Sequence, residues 1–332
     1  MKCDKTTFHA FCPVCGGETI KLYYCSRCGI TTGRERCASC GGTANPYRKT
    51  TINLRDIFME ARGRVHVSPD LVKGVVGLVS AEKIPEPLEK GLLRAYHDIS
   101  VFKDGTARFD ITNAPLTAVR LRDIGLSEEK ARELGYEPFK VDGEDWIYLK
   151  VQDVVIPRNA ATYLLKITRF IDDLLERVYN LPRWYNASSI DDLIGVLIVG
   201  LSPHTSVGVL GRVIGFTESQ VLYAHPFWHA AKRRDCDGDQ DAIMLLLDVL
   251  INFSRSYLPS SMGGEMDAPL MVSPVILPLE VDSQVHNMEV VSEYPREFYE
   301  ATVSSTPLRE AVKLVSWIYD RLDTEVQYKE IP

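Results

Sequence analysis

Seven of the eight cysteines of this 332-residue chain fall within its first 40 positions: Cys3, Cys12, Cys15, Cys25, Cys28, Cys37 and Cys40. Six of them form three Cys-x-x-Cys knuckles, each followed directly by glycine (Gly16, Gly29 and Gly41). A glycine there lets the backbone turn tightly, so that two thiolates face one tetrahedral zinc ion. The competing use of paired cysteines is a disulfide framework, which needs an oxidising compartment. The first eleven residues have no apolar central stretch of the kind a secretory signal carries. The expectation is therefore a cytoplasmic chain with reduced thiols and structural Zn²⁺.

The register of the knuckles predicts how they combine. Eight residues separate Cys28 from Cys37, and eight also separate Cys3 from Cys12. One complete site follows from Cys25, Cys28, Cys37 and Cys40. A second contains Cys3, Cys12 and Cys15, and its fourth ligand would fall one position before Met1, so the chain reads as beginning inside a zinc module of something longer. The alternative pairs Cys12 and Cys15 with Cys25 and Cys28 and strands the remainder. His9 is either a substitute ligand or a surface histidine.

At about 150 residues per domain the length suggests two domains. Hydrophobic residues at 45% and charged residues at 25% are globular values, against a disordered or fibrous chain. No apolar run approaches the ~18 residues of a membrane span. The net charge of −7 conceals an asymmetry, because residues 1–64 hold eleven Lys/Arg against five Asp/Glu and residues 235–332 hold six against eighteen. A polyanionic partner would thus have to meet a local basic surface.

Local patterns outline a mixed, β-rich middle. Asp104-Gly105 and Asp142-Gly143 are hairpin-turn dipeptides, because both supply positive φ. Residues 127–134 predict a short polar helix. Residues 159–179 predict an amphipathic one, with Leu164, Leu165, Thr168, Ile171, Leu174, Leu175 and Val178 on one stripe. A further helix is expected from Ser189, with Asp192 completing a near capping box. Glycines 208, 211 and 215 punctuate a β-branched run as in bent strands. Helical spacing returns over 245–257, a strand over 267–277 and a helix over 306–322.

The chemistry concentrates in residues 225–241, where three cations (Lys232, Arg233, Arg234) precede aspartates at 235, 237, 239 and 241. In an extended segment, side chains two apart point the same way, so Asp237 and Asp239 can share a divalent cation, with Gly238 permitting a sharp loop. An EF-hand loop starting at Asp235 fails, since Gln240 and Leu246 stand where Gly and Glu are required. The basic run suits a phosphate chain, and cations beside carboxylate-bound Mg²⁺ are what nucleotidyl transfer requires. Salt bridges to the neighbouring aspartates are the plain alternative. His204, His225 and His229 are candidates for lining the same site, whereas Phe227, Trp228 and Cys236 read as core.

These words resemble the large, catalytic subunit of the archaeal family-D DNA polymerases. The resemblance is carried by residues 85–95, 101–106, 170–176, 203–206 and 211–217. It continues in Ala224-His225-Pro226 and through His229-Ala230-Ala231-Lys232-Arg233-Arg234 to Cys236-Asp237-Gly238-Asp239. Gly263-Gly264, residues 266–269 and His286-Asn287 extend it. It implies a fold of paired double-psi β-barrels with the active site where they meet, and Mg²⁺ held by Asp237 and Asp239 on the second. At Asp235 the family usually has Asn, so this chain is one carboxylate richer. Arg212 falls in a matching word and joins Lys232, Arg233, Arg234, His204, His225 and His229 as a candidate nucleotide or DNA contact. The first barrel of the family, a further zinc module and a sliding-clamp-binding tail have no counterpart here, which implies a partial or split subunit that needs those segments.

The expected division is a zinc-ribbon module at 1–46, a hairpin-rich connecting region and start of the barrel at 47–158, the catalytic barrel with helical insertions at 159–290, and an acidic helical segment at 291–332. The expected partners are primer–template DNA, deoxynucleoside triphosphates, a small exonuclease subunit and the remainder of the large subunit. The rival function class is a non-catalytic zinc-containing module that binds nucleic acid or docks a protein; a two-metal nuclease is weaker, for want of a scattered His/Asp set.

Overall fold

A computed structural model describes residues 10–48, 51–75, 86–261, 263–291, 293–324 and 326–327. Two compact units make up the chain, Met1–Ile57 and Phe58–Pro332.

In the first unit each knuckle closes in the same way. Gly16 N–H donates to Cys12 O at 2.8 Å, Gly29 N–H to Cys25 O at 2.9 Å and Gly41 N–H to Cys37 O at 2.8 Å. Strands β1 (Tyr23–Cys25) and β2 (Ile30–Thr32) form an antiparallel hairpin over the middle knuckle. Buried Cys25, Cys37 and Ala44 are its small core.

Further elements follow in chain order. They are α1 (Leu54–Val65), α2 (Leu88–Tyr96), β3 (Phe109–Pro115), β4 (Ala118–Arg120), α3 (Glu128–Glu133), β5 (Phe139–Val141), β6 (Glu144–Tyr148), β7 (Asp153–Pro157), α4 (Arg158–Arg177) and β8 (Leu197–Leu201). Then come β9 (Val207–Thr217), β10 (Val221–Ala224), α5 (Pro226–Ala231), β11 (Gln240–Leu245), α6 (Leu246–Asn252), β12 (Met271–Ser273), α7 (Arg296–Val303) and α8 (Leu308–Ala311).

Six strands close into a mixed barrel in the order β9-β7-β10-β3-β11-β8, with β8 pairing back onto β9. β9 serves three partners along its length: β12 at Val207–Val209, β8 at Val209–Arg212 and β7 from Arg212 onward. Gly215 lets β9 pass close over the turn at Leu121–Ile124, since a Cβ there would lie 2.6 Å from the Ile124 carbonyl oxygen. The pleat sends alternate residues to different cores. Val154, Ile156 and Val213 join the main core with α4, while Val155 and Ile214 face a second core under α3 and the β4-β6-β5 sheet. Likewise Ile198, Ile243 and Leu245 point to the main core, and Val199, Leu201 and Met244 to a third. Strands buried on both faces read as continuous apolar runs.

Several local expectations hold. Ser127 caps α3 by accepting from Lys130 N–H, and α4 spans the predicted amphipathic segment. Asp142 (φ 50°) and Gly143 (φ 83°) turn the β5–β6 hairpin. Other expectations are corrected. Asp104-Gly105 makes the expected tight turn, with Gly105 at φ 95° and Phe102 N–H donating to Thr106 O at 2.7 Å, but no strands pair across it. Asp104 is wholly buried, its carboxylate accepts from Thr106 N–H at 2.8 Å and Arg108 at 2.7 Å, and β3 pairs instead with distant β10 and β11. Gly105 O also accepts from Arg94 at 2.9 Å, and Arg94 forms a fully buried fork with Glu86, so residues 86–95 and 101–106 are one packing unit. The helix from Ser189 is a single 3₁₀ turn (Ile190–Leu193), capped as expected by Asp192, before the chain enters β8. The predicted 267–277 strand shrinks to β12. The 245–257 helix stops at Asn252, with a 3₁₀ turn at Arg255–Tyr257. The 306–322 helix breaks after α8 into 3₁₀ turns. There Val290 N–H donates to Ser316 O and Ile318 N–H to Met288 O, which holds residues 315–317 extended.

Candidate functional site

Two clusters of metal-type ligands occur among the described residues. The first is Cys25, Cys28, Cys37 and Cys40, one ligand atom from each lying within 4.8 Å of every other. Cys25 Sγ and Cys40 Sγ are 3.6 Å apart. Tetrahedral Zn–S bonds of about 2.3 Å require sulfurs about 3.8 Å apart, so the donor set and its spacing both fit zinc. Backbone N–H groups of Cys40 and Ser39 pull the Cys37 thiol down to about 6, while hydrogen bonding to Cys40 pushes Cys28 up to about 12. By themselves the sulfurs cannot all be thiolates; a divalent cation removes that conflict. Cys12 and Cys15 form a knuckle of their own, and Cys3 and His9 lie outside the described residues.

The second cluster is Asp235, Asp237 and Asp239, with carboxylate oxygens likewise within 4.8 Å of one another. It occupies the loop from α5 to β11 at one rim of the barrel. Asp235 and Asp237 are exposed, and Asp239 is half-buried, 3.7 Å from Arg234. Gly238 turns the loop at φ +99°, a conformation that only glycine takes without strain. Oxygen ligands about 2.1 Å from a hard cation stand about 3–4 Å apart, within reach of this set.

The loop is anchored by a residue the sequence reading did not single out. Asn113, on β3 and 1% exposed, donates from its side-chain amide to Asp235 O at 2.9 Å and accepts from Gly238 N–H at 3.2 Å. Its own N–H donates to Asp239 O at 3.0 Å. No spacing rule links position 113 to 235. The one signal was an amide side chain inside a strand, between buried Ile111 and the terminal Pro115.

The basic run divides. Lys232 is enclosed rather than presented to phosphate: it pairs with Asp241, both side chains are fully buried, and its ammonium lies 3.5 Å from the Trp228 ring centre. Burial pushes its pKa well down. This pair closes the base of the acidic loop. Arg234 donates to Pro203 O at 2.6 Å, whereas Arg233 is exposed at φ 59°. Arg233 lines an open cleft of about 1390 Å³ with exposed His204, Ser261 and Glu265 and half-buried Ser206; buried Lys232 borders it too, and Asp235, Asp237 and Asp239 are not in its wall.

The other histidines face inward. His225 caps α5 by accepting from Phe227 N–H at 3.2 Å, and burial lowers its pKa to about 4. His229 bonds Ala114 O at 3.0 Å, and burial holds it neutral too. They pack α5 against β3 instead of lining the cleft. Arg212 is committed to a fork with Asp153 at 2.8 and 2.7 Å, where β7 meets β9. Phe227 and Trp228 are core, and Cys236 is half-buried with its thiol raised to about 11, chiefly by burial. Among the described residues no helix is long and apolar enough to cross a membrane.

Comparison with known proteins agrees with this geometry. Residues 65–332 match the family described as DNA polymerase II large subunit DP2, catalytic domain. The DNA polymerase II large subunit of Archaeoglobus fulgidus is 49% identical over 98% of this chain and 29% of its own length. That of Pyrococcus furiosus is 48% identical over 98% of the chain and 27% of its own length, and that of Thermoplasma acidophilum 51% over 85% and 26%. The chain therefore spans less than a third of these curated relatives. With four-fifths of its length inside the catalytic-domain match, the chain belongs to the family of DNA polymerase II (family D) large subunits.

Proposed function

We propose that this chain is the metal-binding part of the active site of a template-directed DNA polymerase, its six-stranded ring a double-psi β-barrel. Within a complete large subunit and with its small exonuclease partner, it would add deoxynucleotides to a primer. In that reaction the primer 3′-hydroxyl attacks the α-phosphate of the incoming triphosphate and pyrophosphate departs. Bound Mg²⁺ would supply the positive charge that acidifies the hydroxyl and steadies the leaving group.

The residues divide this work. Asp237 and Asp239 are the proposed ligands, turned to one side by the bend at Gly238. Asp235 supplies a third oxygen close enough to join them. Arg233, exposed at the edge of the cleft, is placed to meet a phosphate, with His204 beside it. Arg234 is braced by Pro203 O and screens Asp239, so its role is to hold the loop's charge in balance. Lys232 serves the loop from beneath through Asp241. Structural Zn²⁺ on Cys25, Cys28, Cys37 and Cys40 would order the first unit, with Cys3, Cys12 and Cys15 contributing to a second site.

One observation carries the reading: three carboxylates converge on one point of a barrel-rim loop, in a chain matching a polymerase catalytic domain. The test is primer extension by the complete large subunit rebuilt with its small subunit. Asp237→Asn or Asp239→Asn should lower extension by about a thousandfold or more while zinc content stays unchanged. Undiminished extension by either variant would refute the assignment. Salt-sensitive DNA binding with no dependence on either aspartate would instead favour a docking module.

A further inference from the structure

We infer that Asn113 is a positioning residue for the acidic loop, fixing the carboxylates of Asp235, Asp237 and Asp239 so that they converge on one cation. This rests on the metal reading above and deepens it. Three like charges within 4.8 Å repel, and within their own segment only Arg234, 3.7 Å from Asp239, offsets that repulsion, leaving Asp235 and Asp237 exposed. Asn113 supplies the opposing ties. Its side chain spans the loop from Asp235 O to Gly238 N–H, and its backbone holds Asp239 O. Each aspartate is thus itself tied or lies between tied peptide groups.

The chemistry of the carboxamide suits the task. It donates at one end and accepts at the other, and only this orientation satisfies both partners. It is neutral, so it neither cancels the carboxylates nor competes for the cation. An aspartate at 113 would lack the donor and add a fourth negative charge; leucine would provide neither bond. The platform is also rigid. β3 is flanked by β10 and β11, and the next residue's carbonyl, Ala114 O, accepts from buried His229. Outer partners of this kind typically govern metal affinity through ligand orientation.

The experiment uses the whole 332-residue chain with Mn²⁺ alone as probe, read by electron paramagnetic resonance, alongside amide hydrogen exchange. Asn113→Ala should weaken Mn²⁺ binding by about tenfold to a hundredfold. Exchange of the 235–239 amides should quicken by about tenfold or more, with β8 and β9 protection unchanged. Asn113→Ser, whose hydroxyl can donate and accept but has one short arm where the carboxamide has two atoms, should fall between. If either variant, folded by the β8–β9 criterion, binds Mn²⁺ as tightly as the parent, the inference is overturned while the metal reading stands. If the parent chain takes up no Mn²⁺ and Asp237→Asn changes nothing, the metal reading itself falls and takes the inference with it.

Discussion

The two clusters reach the same tolerance by opposite routes. The cysteines are assembled locally: all four lie within 16 consecutive residues, and the knuckles are closed by their own backbone bonds. The aspartates lie even closer in sequence, yet the bonds that set their loop come from a strand 122 and 125 residues away. A local site depends on its ion for order, whereas the acidic loop depends on the barrel. The first should therefore fail by losing metal, and the second by losing its scaffold.

The sharpest break in this comparison is removal of a thiol. Cys37→Ser should abolish tight zinc binding and melt amide protection over residues 10–48. The apparent binding free energy at stake is about 10–16 kcal/mol, the scale for zinc-dependent folding units. Protection in the barrel and its Mn²⁺ affinity should not change; a coordinated loss of both would show that the two clusters are not independent.

Next in size is the buried pair beneath the acidic loop. Lys232→Met leaves Asp241 enclosed without its counter-ion and should cost about 3–5 kcal/mol in urea denaturation. The double variant Lys232→Met/Asp241→Leu should recover most of that. Were Lys232 instead a phosphate contact, the single variant would retain stability and lose nucleotide affinity.

Acid should also destabilise the barrel. His225 is neutral in the folded chain with a pKa of about 4, below its unfolded value, so its contribution is complete above pH 6.5 and is lost as pH falls toward 4. That is on the order of 3 kcal/mol, and His229 shifts in the same direction. Asp248 opposes this: burial raises it to about 6, so its contribution is full below its unfolded pKa and is lost as pH rises through 6. With two histidines against one carboxyl, melting temperatures should fall between pH 6.5 and 4.5; a flat or rising profile would contradict the placement of the histidines. The smallest effect is a control at a residue that belongs to neither cluster. Ser127→Ala removes the α3 cap and should cost about 1 kcal/mol without touching either metal.

What was legible in the sequence follows the same divide. The knuckles, the short helix at 127–134, the Asp142-Gly143 turn and the amphipathic α4 all depend on neighbours a few residues away, so spacing revealed them. Of the barrel strands, β9 was marked by glycines 208, 211 and 215, whereas β7, β8 and β11 gave no signal, because they bury both faces and show no alternation. Asp104-Gly105 misled in part for a related reason: the dipeptide does turn the chain, but β3 takes distant strand partners instead of pairing across that turn. The same holds for residues 306–322, where hydrogen bonds to 288–290 outweighed helical spacing. At the site, the aspartates were plain in the sequence. The inward turn of Lys232, His225 and His229, and the tie from Asn113, arise from burial and long-range pairing.

The most direct test of the central claim is anomalous scattering from a crystal of the complete large subunit with primer–template, nucleotide and Mn²⁺. A peak is expected about 2.1–2.3 Å from carboxylate oxygens of both Asp237 and Asp239, facing the primer terminus. A productive complex with its metal peak elsewhere, and these two carboxylates directed into solvent, would contradict it.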